Sequence, residues 1–407
     1  MATPTIVVTF DFSSGATFGY PFIIGEGVLG FNTLANAAAD VIDISDQVNN
    51  VSIKRGYNLL QEQFQAGTAT IRILDPNGDW NPTNTASPYY GKLVPLRKVR
   101  ISADGYFLFS GYTTAYNYTW DKEQNIGYVD IDLVDAFRLL NMSNITTVTG
   151  AAAGDTTGNR ITYILNTIGF PTSMRTIAAG ATTVQADPGT SRTSLQAIQN
   201  MEFSEQGAFF INPSGNAEFL SRLSIEQKSG VNPTFFSNDG TGITYRNIVT
   251  ALDDKLIINT TSINRAGGTA QTASNTASQI KYFPHSFTAT DLLVQTDAQS
   301  LDIARAYTAT RAETTLRVDS LTLDLNTPSY TAGTTAALSL DFFDTIRVKN
   351  VGQDGTIIDK TLQCMGVAHE ITPATWNTTF VTSEPIIDSF IIGSSLYGII
   401  GTSVMTY

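Results

Sequence analysis

Residues 51–101 constrain the fold of this chain more than any other segment, because they predict three successive strands separated by turns. Residues 51–53 predict a first strand, and the Lys-Arg-Gly sequence at 54–56 predicts a turn after it. At 69–73, Ala and Ile alternate with polar residues, which predicts a second strand with one buried face. A third strand is predicted from 94 to 101. The segment therefore predicts β-structure, and it contains no constellation of catalytic residues.

A turn and an aromatic loop separate the second and third of these strands. The Asp-Pro-Asn-Gly-Asp sequence at 75–79 is typical of a β-turn, since Asn and Gly tolerate positive φ. Its three oxygen-bearing side chains also permit a calcium site, but the segment is shorter than an EF-hand loop and lacks the closing Glu. The loop that follows carries Trp80, Pro82, Tyr89 and Tyr90.

The composition indicates a folded, β-rich protein of several domains. A chain of 407 residues exceeds one typical core, so we expect two to four domains. Hydrophobic residues make up 42% and charged residues only 15%, so Thr, Ser, Asn and Gln must supply much of the surface. Thr and Tyr favour strands, whereas Asn and Ser favour turns.

Charge and cysteine usage exclude several classes of protein. The 24 Lys and Arg against 36 Asp and Glu give a net charge of −12, which argues against stable nucleic-acid binding. The single cysteine, Cys364, is expected to be a buried thiol made in a reducing cytoplasm. Residues 1–12 lack the pattern of a secretory signal. The longest apolar runs, near Phe22 and Phe390, are short and interrupted by Gly, so we expect no membrane span.

Periodicity predicts mostly strands with a helical region between them. Residues 126–134 and 316–325 alternate, the latter with a phase slip at Asp319-Ser320 that predicts a bulge. Gly352–Gly355 predicts a hairpin turn. Helical stripes occur at 161–168, 195–201 and 297–309, the last two preceded by the capping-box pairs Thr193 with Gln196 and Thr296 with Gln299. Small residues at 149–158 predict a linker, and those at 266–278 predict an exposed loop.

A short sequence recurs near both ends of the chain. Phe22-Ile-Ile-Gly25 is repeated as Phe390-Ile-Ile-Gly393, and Leu and further Gly residues follow each copy. One interpretation is a pair of extended arms that bind grooves on a neighbouring subunit or ring. The alternative is two unrelated turns that pack on their own domains.

The titratable residues form no recognisable catalytic or metal-binding motif. His369, at the end of an alternating strand, is interpreted as structural, and His285 as a turn or interface residue. Two isolated His and one Cys do not supply the four ligands of a zinc site. A glycosidase would need two carboxylates within roughly 10 Å of each other. The carboxylates that could be searched for such a pair are Asp187, Glu202, Glu205 and Glu218.

In amino-acid sequence and in their order along the chain, several segments resemble the minor tail, or tail-tip hub, proteins of long-tailed bacteriophages. The resemblance covers nearly the whole chain. It rests on the sequences AGTATI at 66–71, DPNGDWNP at 75–82, SPYYGKLVPLRKVRI at 87–101, EQGAFFI at 205–211, GVAHEITP at 366–373 and FIIGSSLYGIIG at 390–401.

The resemblance implies a mainly β fold with a small α/β unit and two tail-tube-like antiparallel β-barrels per chain. The expected domains are an N-terminal arm (1–35), a first barrel (36–148), the α/β unit (149–240), a second barrel with an inserted loop and helix (241–385) and a C-terminal arm (386–407). Expected contacts with neighbouring rings or subunits are Trp80, Pro82, Tyr89 and Tyr90, together with Phe22, Ile23, Ile24, Phe390, Ile391 and Ile392 in the arms.

The same resemblance implies a structural virion protein without catalytic residues, cofactor or metal. Three chains would form a ring at the tail tip that adapts a six-fold tail tube or distal tail ring to three-fold components and lets DNA pass. Expected partners are its own copies in a homotrimer, the tail tube or distal tail protein, the tape measure protein and the tip fibre or spike proteins. Two alternatives are a distal tail or receptor-binding tip protein, whose loops 77–90 and 266–278 bind host glycan, and a hub with cell-wall hydrolase activity.

Overall fold

A computed structural model describes residues 4–13, 15–19, 40–58, 63–123, 125–229, 232–326 and 331–385. Strands predominate among these residues, as the composition and periodicity predict. No helix in this part of the chain is long and apolar enough to cross a membrane.

The elements fall into three successive regions. The first contains β1 (Ile6–Asp11), β2 (Val41–Asp43), β3 (Val48–Asn58), β4 (Gln63–Phe64), β5 (Thr68–Asp75), β6 (Lys98–Ala103), β7 (Tyr106–Asp121) and β8 (Ile126–Val134). The middle region contains α1 (Phe137–Met142), β9 (Asn144–Ile145), α2 (Thr157–Thr167), β10 (Arg175–Ile177), β11 (Arg192–Thr193), α3 (Ser194–Glu205), β12 (Ala208–Ile211), β13 (Ala217–Leu220) and α4 (Arg222–Ser229).

The third region returns to β-structure. It contains β14 (Thr234–Ser237), β15 (Asn247–Ala251), β16 (Thr260–Arg265), β17 (Gln271–Ser274), α5 (Thr276–Tyr282), β18 (Ser286–Leu292), α6 (Asp297–Arg311), β19 (Arg317–Asp324), α7 (Thr331–Ser339), β20 (Thr345–Val351), β21 (Ile357–Ile371) and β22 (Trp376–Ser383).

One large sheet runs through the first and third regions. Its strand order is β15-β19-β22-β21-β3-β5-β8-β7-β6-β1-β2, with β20 also paired to β21. The two regions meet where β3 pairs antiparallel with β21, from Val51 opposite Ile371 to Gly56 opposite Gly366. The described strands leave the path open at β2 and β15, so the two closed barrels and the predicted domain boundaries stay predictions.

Two facing glycines allow the close approach of β3 and β21. A Cβ added to Gly56 would lie 3.0 Å from the Cα of Gly366 and 3.2 Å from the carbonyl oxygen of Met365. The turn predicted at 54–56 is wrong, because these residues continue β3. Lys54 is exposed and Arg55 is buried, so the strand alternation persists through two charged residues that resemble a turn in sequence.

Several other local predictions are confirmed. The sheet register slips around Asp319, where Ser320 opposes Val249 and Val318 opposes Thr250. A turn at 352–356 joins β20 to β21. Both capping boxes are present, at the starts of α3 and α6.

The third region also contains a small module, of which the sequence predicted the helix at 297–309 but not the strands. The sheet β17-β16-β18 packs against α6 around a separate core of Ile263, Leu292, Val294, Ile303, Ala304 and Tyr307. The loop predicted at 266–278 is therefore wrong in part, since it holds β17 and the first residues of α5. Thr and Ala in that segment gave no alternation that would have indicated a strand.

Arg55 connects all three regions through its buried guanidinium. Only 6% of it is exposed. Nη1 donates to Oδ1 of Asp341 at 3.1 Å, and Nη2 donates to the carbonyl oxygen of Ile211 at 3.0 Å. The guanidinium carbon also lies 4.6 Å from the ring centroid of Phe342. One side chain on β3 thus bonds to β12 of the middle region and to the segment before β20.

We predict that Arg55→Met lowers the free energy of unfolding by about 3 kcal/mol, because it leaves the Asp341 carboxylate without its buried partner. The matched control is Arg347→Met. Arg347 bonds Asp359 and lies over the ring of Phe235, but its side chain is 46% exposed. This exposed pair should contribute less than about 1 kcal/mol. Urea titrations of both variants measure the difference, and equal losses would contradict the role assigned to Arg55.

Candidate functional surface

The large sheet has one apolar and one polar face. In β8, Val129, Ile131 and Leu133 are buried in the core, whereas Asp130 and Asp132 point to the opposite side. The same alternation holds in β5 and β22, because the side chains of successive strand residues point to opposite faces. We call this second side the polar face.

One row of the polar face, which we call the polar row, crosses the joint between the first and third regions. Each of its residues stands opposite the next in register on the neighbouring strand, over β19, β22, β21, β3, β5 and β8. The row consists of Asp324, Asn377, Glu370, Ser52, Thr70 and Asp132. It contains three carboxylates. Arg246, beside the end of the row, lies 3.7 Å from Asp324 and donates to the side-chain oxygen of Asn377 at 3.0 Å.

Neutral donors hold two of these carboxylates in place. The hydroxyl of Ser52 donates to Glu370 at 2.7 Å, and the hydroxyl of Thr70 donates to Asp132 at 3.0 Å. The amide of Asn117 donates to the other oxygen of Asp132 at 2.8 Å. Such bonds fix Glu370 and Asp132 without adding a positive charge, so these two carboxylates form the ordered anionic part of the row.

A bidentate ion pair lies in the next row of the polar face. Nε and Nη2 of Arg72 each donate to an oxygen of Asp130 at 2.7 Å. This hydrogen bond raises the pKa of Arg72 above its ordinary value. The arginine therefore remains paired within the sheet, and its charge is offset by Asp130.

The predicted contact loop is divided between core and surface. Trp80 is only 1% exposed, packs against Phe10 and Tyr89, and donates from Nε1 to Gln47 at 2.6 Å. Its ring therefore stabilises the loop from inside and is not presented at the surface. Pro82 is exposed, Tyr90 is 53% exposed, and Tyr89 is half-buried. Phe22, Ile23, Ile24, Phe390, Ile391 and Ile392 lie outside the described residues.

The turn at 75–79 uses its first carboxylate structurally. Asp75 accepts hydrogen bonds from the backbone N–H of Asp79 at 2.7 Å and of Trp80 at 2.9 Å. Gly78 has a φ of 73°, as a turn of this composition requires. Among the described residues, no group of three or more His, Cys, Asp or Glu is placed to hold a metal ion.

The four carboxylates that could have formed a glycosidase pair are bound to structural partners. Burial raises the pKa of Glu202 to about 8, and Glu205 is 1% exposed. Their partners are Phe209 N at 3.1 Å for Glu202, Thr157 Oγ1, Ala181 N and Thr182 N for Glu205, Asn212 Nδ2 for Glu218, and the guanidinium of Arg192 for Asp187. These bonds attach helices and loops of the middle region to one another.

The two histidines and the cysteine are also buried or hydrogen-bonded within the fold. His369 is 3% exposed, and its Nδ1 lies 3.0 Å from the hydroxyl of Thr378. Burial, with a smaller contribution from Arg55, lowers the pKa of His369 to about 3, so the ring is neutral at pH 7. His285 follows α5 in a turn, with Nε2 3.1 Å from the carbonyl oxygen of Tyr282. Cys364 is fully buried, and burial raises the pKa of its thiol.

Sequence reasoning found the polar side of single strands but not the polar row. The alternation at 126–134 places Asp130 and Asp132 on one face. Nothing in the sequence indicates that Glu370 stands beside Ser52, because 318 residues separate them along the chain.

Comparison with solved structures relates this architecture to tail proteins. A tail protein from Neisseria meningitidis superposes with a TM-score of 0.59 over 95% of this chain and 98% of that one, at 11% identity. The 43 kDa tail protein of prophage MuSo2 from Shewanella oneidensis also gives 0.59, over 85% and 96%, at 10% identity. No protein-family model and no curated protein sequence matches the chain. At such identities the likeness establishes a shared fold.

We predict that Glu202→Gln becomes more stable relative to the unchanged protein as the pH rises from about 4.5 to about 8. The buried carboxyl keeps its proton up to about pH 8, whereas the unfolded chain loses it near 4.5. Folding therefore costs more as the pH rises through this window, and an amide avoids that cost. Urea titrations at several pH values measure the trend, and parallel stability curves would contradict it.

Proposed function

We propose that this chain is a structural component of a phage tail, a hub that forms a trimeric ring at the tail tip. The fold shared with two tail proteins supports the tail role. The main support for the hub role is the continuous sheet, in which two β-rich regions of one chain are joined through β3 and β21. Three chains would then present six similar units, each a tail-tube-like barrel, around one axis.

The polar face is proposed to line the channel of this ring. A channel for DNA needs a hydrated wall that does not hold phosphates, and carboxylates repel them while offering no counterion release. The row from Asp324 to Asp132 has that chemistry and extends over six strands. Of the cations on or beside this face, Arg72 pairs with Asp130 and Arg246 with Asp324, while Lys54 is exposed. The proposed repulsion of phosphates therefore rests on Glu370 and Asp132.

We propose that the edge strand β2 of one chain pairs with the edge strand β15 of the neighbouring chain in the ring. Within the described residues, β2 and β15 each pair on one side only. Unpaired strand edges associate readily with other chains unless they are covered. A ring of identical chains joins such unlike edges head to tail and covers both of them.

The proposed partners follow from this position in the tail. The tail tube or distal tail protein would bind one side of the ring, and the tip fibre or spike proteins the other, with the tape measure protein in the channel. Pro82 and Tyr90 in the loop after β5 are proposed as contacts with a neighbouring ring, and residues 22–24 and 390–392 as arm contacts. The site of the protein would be the virion tail tip, after synthesis in the host cytoplasm.

Counting the copies of this chain in an assembled tail is the most direct test of the proposed hub role. A symmetry-resolved electron microscopy image of the tail tip should show three copies of this chain, whose polar faces line the channel. Six copies would overturn the hub in favour of a distal tail ring. Loss of turbidity when the purified protein is added to bacterial cell walls would overturn the purely structural role.

We predict that Glu370→Lys combined with Asp132→Lys slows DNA ejection from assembled particles. The change places two positive charges in the polar row, where they would bind passing phosphates, and more strongly at about 50 mM salt than at about 200 mM. Asp302→Lys is the control, because Asp302 is exposed on α6 away from this row. Ejection followed by a DNA-binding dye measures the rate, and equal rates for both variants would contradict a channel-lining face.

A further inference from the structure

A groove separates the helix α3 from the small module of the third region. It has a volume of about 400 Å³. One wall is the strand β18 and the other is α3, with Gln63 of β4 at one side. Its lining residues are Gln63, Gln196, Gln199, Asn200, Phe203, Phe287, Thr288, Ala289, Thr290 and Leu292, none of which is charged.

The groove lies along an open strand edge. The four consecutive residues 287–290 all line it, although neighbouring side chains of a strand point to opposite faces. A cavity reaches four such residues in a row only from the edge, where the backbone N–H and C=O groups point. On this edge β18 has no partner strand among the described residues, since it pairs with β16 on the other side.

Asparagine 200 fixes the end of the groove. Its amide donates to the carbonyl oxygen of Asp291 at 3.0 Å, and its oxygen accepts from the backbone N–H of Leu293 at 3.3 Å. The stacked rings of Phe203 and Tyr307, with centroids 6.1 Å apart, hold α3 against the module. The spacing between α3 and β18 is therefore set by these contacts, while the edge at 287–290 stays open.

A strand edge beside a helix is suited to an extended peptide. Such a peptide pairs its backbone with the edge, and the groove beside it accepts alternate side chains. The open edge of four residues is roughly 13 Å long, the length of a four-residue strand. Uncharged walls select an uncharged segment, because a charge there would lose its water without gaining an opposite partner.

We propose that residues 386–407 of this chain occupy the groove as an added strand on β18. From 389 onward this segment has no Asp, Glu, Lys, Arg or His, and it is rich in the strand-favouring residues Phe, Ile, Tyr and Val. Its Gly and Ser residues suit a narrow space between a helix and a strand. This contact goes beyond the tail role, since it requires neither a ring of three nor a channel.

Cysteine cross-linking in the full chain tests this occupant. Thr288→Cys places a thiol in the groove and Ser394→Cys places one in the segment, whereas the native Cys364 is buried. The control pairs Ser394→Cys with Thr272→Cys. Thr272 and Thr288 are both exposed and both stand opposite Ser262, on the two sides of the same strand.

With a mild oxidant, the Thr288 pair should cross-link at least about tenfold faster than the Thr272 pair. A disulfide between chains, seen as a dimer on a gel, assigns the segment to a neighbouring copy, and one within a chain assigns it to the same copy. Either result supports the proposed occupant. Equal rates for the two pairs would overturn it.

The second measurement is the cross-linking rate after substitutions that obstruct the groove. Gln199→Trp fills the space between α3 and β18 and should slow cross-linking about tenfold, the effect of losing roughly 1.4 kcal/mol of binding. Gln199→Glu adds charge without bulk and should also slow it. Gln227→Trp, at an exposed position on α4, is the matched control. Cross-linking that survives both Gln199 changes would overturn the proposal, as would a neutral oligosaccharide that binds the groove while the segment does not.

Discussion

The buried guanidinium of Arg55 is the interaction on which the arrangement of the three regions depends. It lies on the core side of β3, directly beside the joint with β21, and bonds to Asp341 and to the backbone of Ile211. A buried charge is stable only with a partner and satisfied hydrogen bonds. Residues from all three regions must therefore reach this one group, which fixes their relative positions more sharply than apolar packing alone.

The joint held by Arg55 also creates the surface on which the proposed function rests. Because β3 and β21 approach closely at Gly56 and Gly366, the polar side chains of two distant parts of the chain fall into one row. Hydroxyl and amide partners order Glu370 and Asp132 without neutralising them. Asp187, Glu202, Glu205 and Glu218, by contrast, bond to partners within the middle region and stabilise its fold.

Predictions from the sequence were correct for elements whose signals lie within a few residues. They were wrong where a residue's conformation or burial depends on a partner far away in the chain. Capping boxes at Thr193 and Thr296 were predicted correctly because the cap and its partner are three residues apart. The turn predicted at 54–56 was wrong, since a burial site for Arg55 exists only once Asp341 is nearby. Trp80 was expected at a surface, but the core residue that covers it, Phe10, lies 70 positions earlier in the chain.

By itself the sequence determined the mainly β composition, the bulge at Asp319, the hairpin before β21 and the resemblance to tail proteins. It also placed Asp130 and Asp132 on one side of their strand. Only the tertiary structure decided that this side continues through Glu370 to Asp324, and that a groove opens beside β18. The physical reason is that alternation fixes the face of a side chain within its strand, whereas neighbours across strands follow from pairing over hundreds of residues.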